Sequence, residues 1–85
     1  MGEMILLKGV YIMERITKAN MYSMIDTINH IKPMDGAKFG LDWAYGGVRL
    51  VKVYNATGGE SNLTTRGTAR EIYNIMRGIE AFERA

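Results

Sequence analysis

The chain carries two groupings whose types and spacing could do chemistry. Asp26 and His30 stand four residues apart. On a helix that spacing places them on one face, where a carboxylate can orient an imidazole as a general base. Neither a nucleophile nor a third group is placed beside them. His30 also falls at the end of the expected helix, where an imidazole caps carbonyls or faces water. Arg70, Arg77 and Arg84 recur every seven residues, with Asn74 on the same side and Arg66 just before the helix. Such a stripe can meet phosphates, and a helix N-terminus adds N–H donors. Glu71, Glu80 and Glu83 dilute its field, and a Glu80–Arg84 pair would make it an ordinary solvated face.

Other chemistries are closed off by composition. The chain has no cysteine and a single histidine. That excludes a disulfide framework, a thiolate nucleophile and a thiolate or His-rich metal site. No metal ligand set and no cofactor fingerprint is present. The glycine pairs at 46–47 and 58–59 lack phosphate-loop spacing before a helix. Gly67 does precede a helix, a weak anion signal. The expected protein is therefore not an enzyme, with no catalytic residue, metal or cofactor. The net charge of +2, from 11 basic and 9 acidic residues, does not mark a nucleic-acid protein.

The elements that position these residues follow from periodicity. At 85 residues the chain makes one small domain, burying about 60% of its unfolded surface. Thr17 is the expected N-cap of a first helix, Lys18 to Ile31, with Met21, Met24, Ile25 and Ile28 on one face. Lys32-Pro33 stops it. A hairpin follows, Lys38 to Tyr45 and Val48 to Asn55, with Gly46-Gly47 as a type I′ turn. This register sets Trp43 opposite Leu50 and Phe39 opposite Tyr54. One face is then aromatic and the other carries Gly40, Asp42, Ala44, Arg49, Val51 and Val53. Glu60 to Thr64 is a candidate third strand. Thr68 and Glu71 form a capping box, and Ile72, Ile75, Met76, Ile79 and Phe82 carry the last helix to the end of the chain. The expected fold class is α+β, in the order αββ(β)α, with two helices on one face of a small antiparallel hairpin or three-stranded sheet.

That architecture leaves a second sheet face uncovered. Asp42, Ala44, Arg49, Val51 and Val53 form a candidate partner face, apolar with two opposite charges at its rim. A two-fold dimer could pair Asp42 with Arg49 reciprocally. The alternative is a half-solvated sheet that tolerates single valines.

The start of the chain raises a separate expectation. Met4 to Leu7 is far too short to span a bilayer, and no signal peptide is recognisable, so no membrane is expected. Lys8-Gly9-Val10 can be encoded by AAAGGAGT, a bacterial ribosome-binding sequence, a short distance before the codon of Met13. Residues 1–12 are read as a candidate non-native leader or flexible N-terminus, and 13–85 as the domain. The alternative is an edge strand from Ile5 to Ile12.

The stretches Ala44-Tyr45-Gly46-Gly47-Val48-Arg49-Leu50-Val51 and Thr65-Arg66-Gly67-Thr68-Ala69-Arg70-Glu71-Ile72-Tyr73, with Met76-Arg77-Gly78-Ile79, resemble small uncharacterised proteins of phages and prophages of Gram-positive bacteria. The resemblance covers about Met21 to Phe82. It implies an accessory protein in the bacterial cytoplasm and brings no catalytic residues. The order helix, three strands, helix is also similar to that of double-stranded RNA-binding domains. There a lysine-rich start of the last helix grips phosphate. Here that place holds Arg66, Arg70 and Glu71, and the hairpin tip lacks the family's histidine. Two functions are carried forward: a non-enzymatic protein-interaction module, homodimeric through the sheet, and a nucleic-acid-binding accessory protein using the arginine stripe.

Overall fold

The fold is taken from a computed structural model that describes residues 4–7, 10–13 and 15–85, the first two stretches by backbone pairing alone. Met4–Leu7 (β1) pairs antiparallel with Val10–Met13 (β2) in a two-stranded sheet of its own. The two described parts of the stretch from Ile5 to Ile12 thus pair with each other rather than forming one edge strand. Lys8 and Gly9, on which the leader expectation rests, lie outside the described residues.

Helix α1 spans Lys18–Ile31, as the periodicity predicts. Thr17 Oγ1 accepts the Asn20 N–H at 3.1 Å and Asn20 Oδ1 accepts the Thr17 N–H at 3.0 Å. This capping box satisfies the free donors of the first turn. Met21, Ile25 and Ile28 are buried. Helix α2 spans Ala69–Arg84 and opens on the expected Thr68–Glu71 capping box. Ile72 and Met76 are buried, but Ile75 and Phe82 are exposed. The buried stripe is narrower than the apolar pattern because, among the described residues, α2 meets only α1 and the middle of the sheet.

The sheet joins β3 (Ala37–Ala44), β4 (Gly47–Tyr54) and β5 (Glu60–Asn62), all antiparallel, with β4 central. The hairpin turn lies one residue earlier than Gly46-Gly47. Tyr45 and Gly46 hold its two central positions, at φ +51° and +73°. The register sets Trp43 opposite Val48, Leu41 opposite Leu50, Asp42 opposite Arg49 and Phe39 opposite Lys52. Each β3 residue faces a partner two positions from the expected one. A shift of two preserves side-chain parity, so the residues that stay in the strands keep their faces, while Tyr45 leaves β3 for the turn.

The reason for the shift sits at Gly47. A Cβ there would stand 3.0 Å from Arg66 Cγ and 3.0 Å from the Gly67 carbonyl oxygen. Gly47 must be a strand residue with no side chain, because the segment before α2 crosses it. That segment is bonded to β4: the Val48 N–H donates to Gly67 O at 2.9 Å and the Gly67 N–H to Val48 O at 2.8 Å. Strand β5 ends at Asn62 rather than Thr64. The N–H groups of Leu63 and Thr64 both turn to Leu50 O, while Thr64 Oγ1 accepts the Leu50 N–H at 3.1 Å.

Both helices pack on one face of the sheet, an α+β arrangement of the expected order. The core is Met21, Ile25 and Ile28 from α1, Phe39, Val48 and Leu50 from the sheet, and Ile72 and Met76 from α2. Each such side chain contributes roughly 1.5–3 kcal/mol through burial. Trp43 and Leu41 close the core from the β3 side. Of the tyrosines expected on the aromatic face, Tyr45 has left the strand for the turn and is fully exposed, and Tyr54 is 40% exposed.

Candidate functional site

Across the sheet face opposite the helices the strongest feature is a three-residue charge cluster. The β3–β4 register brings Asp42 and Arg49 together, and Arg49 Nε–H donates to Asp42 Oδ2 at 2.8 Å. Arg66 arrives from the segment anchored by Gly67, over the gap that Gly47 leaves. Its Nη2–H donates to the same oxygen at 3.0 Å and its Nη1–H to the Asp42 carbonyl at 2.9 Å. The Arg66 hydrogen bond holds the Asp42 carboxyl below its ordinary value. Partial burial works against this, and the Arg49 hydrogen bond and charge add to it. One carboxylate between two guanidiniums leaves the cluster net positive.

The expected partner face is therefore rearranged. Within the chain Asp42 pairs with both Arg49 and Arg66. Val51 is completely buried on this face, while Ala44 and Val53 are half-buried. Between them Gly40 leaves room: the methyl groups of Val53 and Val51 lie 2.9 and 3.5 Å from where its Cβ would be.

The arginine stripe is also divided. Arg66 belongs to the sheet cluster. Arg70 is half-buried and engaged within the protein. Asn74 and Arg77 are exposed. Arg84 pairs with Glu80 at 3.3 Å, the solvated-face alternative. Glu71 is occupied by the cap, where hydrogen bonds from the Thr68 backbone and side chain hold its carboxyl below the ordinary value. Asp26 and His30 both lie on open surface. Among the described residues no group of His, Asp and Glu is placed to hold a metal ion, and no helix is long and apolar enough to cross a membrane.

One feature was not read from the sequence. A shallow depression of about 370 Å³ lies beside the hairpin tip, lined by Lys18, Trp43, Ala44, Tyr45, Gly46 and Gly47. Lys18 Nζ stands 4.9 Å from the Trp43 ring centre, a cation–π contact. Trp43 Nε1–H donates to Tyr22 Oη at 3.0 Å. Tyr45, in the turn, stands in solvent at the rim of the depression. No family model, curated protein or solved structure matches the chain.

Proposed function

We propose that this protein is a non-enzymatic protein-interaction module, an accessory protein of a phage or prophage in the bacterial cytoplasm, which works through its sheet as a homodimer. The observation that supports this reading is the one-sided packing of the helices, which among the described residues leaves the other sheet face without a helix and β3 without a neighbouring strand on its outer edge. That face combines half-buried Ala44 and Val53 with a net positive charge cluster. A mixture of apolar surface and fixed polar groups suits a protein partner. The exposure of Asp26 and His30 gives a general base no enclosed site in which to act.

Light scattering across a dilution series tests the homodimer. A mass that falls from dimer to monomer on dilution, at a lower concentration for wild type than for Val53→Lys, supports it. A constant monomer mass rejects it.

The alternative, nucleic-acid binding, draws on Arg70, Asn74, Arg77 and Arg84 without Arg66, whose guanidinium is committed to Asp42. Its test is a gel shift with duplex DNA and RNA at low salt, where phosphate contacts are strongest. No shift at about 50 mM salt removes that reading.

A further inference from the structure

The open edge of β3 has one short usable window. Val48 and Leu50 direct their backbone groups to Gly67, Thr64 and Leu63, away from β3. In an antiparallel pair such groups alternate, so their opposites, Trp43 and Leu41, direct N–H and C=O outward. Phe39 does the same, but Asn29 takes both of its groups. Among the described residues nothing takes those of Leu41 and Trp43. Unpaired strand edges are templates for another strand.

Two further observations mark this window. The depression of Lys18, Trp43 and Tyr45 lies at its end. Tyr45, fully exposed, holds a left-handed backbone at φ +51°, a conformation costly for a side chain with Cβ. A strained, solvated aromatic at a loop tip fits a contact made with a partner.

We infer that the Leu41–Tyr45 edge binds an extended acidic peptide of another protein by strand addition. Its backbone pairs with Leu41 and Trp43, and its side chains pack on Trp43 and Tyr45. The acidic character follows from the charges that surround the window. Arg49 and Arg66 outnumber Asp42 on the open face, and Lys18 stands over Trp43 on the helix side. Asp26, one turn of α1 beyond Tyr22, is an opposing charge among the described residues. A second copy fits less well. Pairing Leu41 with Trp43 of that copy sets the two Asp42 residues directly opposite, a like-charge pair. Sliding the strands to pair Leu41 with Leu41 calls on Phe39, which Asn29 has already occupied. This inference rests on the reading of the protein as an interaction module, but it concerns the edge and not the face used in the homodimer.

The test follows the backbone amides of the full chain by NMR during titration with two peptides of about eight residues, a typical strand length. One alternates valine with glutamate, the other valine with lysine. The expected result is a shift and slowed exchange at the Leu41 and Trp43 amides with the glutamate peptide, with affinity about tenfold above that of the lysine peptide. Leu41→Pro removes the outward N–H at an edge position where proline is tolerated, and abolishes the effect. Lys18→Glu, at an exposed residue, weakens it and serves if Leu41→Pro does not fold. Equal binding of both peptides, no change at these amides at millimolar peptide, or protection of them by protein concentration alone overturns the proposal. The last outcome assigns the edge to a second copy. Loss of the dimer with the amide shifts intact overturns only the homodimer.

Discussion

Asn29 on α1 holds Phe39 of β3 by both of its backbone groups. The Phe39 N–H donates to Asn29 Oδ1 at 2.8 Å, and Asn29 Nδ2–H donates to the Phe39 carbonyl at 3.2 Å. A side-chain amide here stands in for a neighbouring strand and fastens the first helix to the sheet edge. Asn29→Ala leaves both part-buried groups unmet. It is expected to lower unfolding free energy by about 1–3 kcal/mol, read from the urea midpoint at unchanged slope. Asn29→Asp keeps the acceptor and loses the donor, so its loss falls between.

The hairpin turn offers a gain in stability. Tyr45 occupies a position that asparagine or glycine adopts more readily. Tyr45→Asn is expected to stabilise the fold by about 1 kcal/mol, since a left-handed residue with Cβ costs of that order. An unchanged or lower thermal midpoint contradicts the turn assignment. The neighbouring Gly47→Ala is expected to destabilise, because its methyl group meets Arg66 and the Gly67 carbonyl.

The stability of the fold should decline in acid. The carboxyls of Asp42 and Glu71 are held below their ordinary values of 3.8 and 4.5. A group depressed in the folded state adds stability above its unfolded value and loses it as pH falls through the folded one. Urea midpoints measured from pH 7 downward should therefore drop on approaching those ordinary values and continue to drop below them. Asp42→Asn is expected to flatten part of that decline and to sit below wild type at neutral pH. A profile identical to wild type disproves the role of the cluster.

At the start of α2, Thr68→Ala removes the acceptor for the Glu71 N–H. The expected cost is about 1 kcal/mol, measured by the same denaturation.

How much of this was legible in the sequence varies by element. The bounds of α1 and the Thr68–Glu71 cap were readable because local chemistry sets them: Thr17 and Pro33 at the ends of one, a reciprocal hydrogen bond at the start of the other. The contents of the two sheet faces were readable as well, since they depend only on alternation. The turn was not. Gly46-Gly47 satisfies a type I′ turn locally, and only the crossing of Arg66 and Gly67 over Gly47 makes the earlier turn better. The same crossing took Arg66 out of the arginine stripe. Its place before the helix was clear, but not that its guanidinium would reach Asp42, 24 residues back in the chain. Ile75 and Phe82 have the spacing of core residues, yet α2 has no neighbour on that side among the described residues.

The paired hydrogen bonds between Val48 and Gly67 close the chain between them into a loop fastened at its base. Within that loop, residues 55–59 are exposed, and the Tyr54 N–H bonds to Gly59 O just inside them. Cutting or lengthening the chain at Thr57–Gly58 would leave both stumps still zipped to one another through β4, β5 and the Val48–Gly67 bonds. The bend between β4 and β5 is thus the natural place to insert a reporter domain or to open new termini by circular permutation. Either change leaves the helices, the charge cluster and the β3 edge where they are.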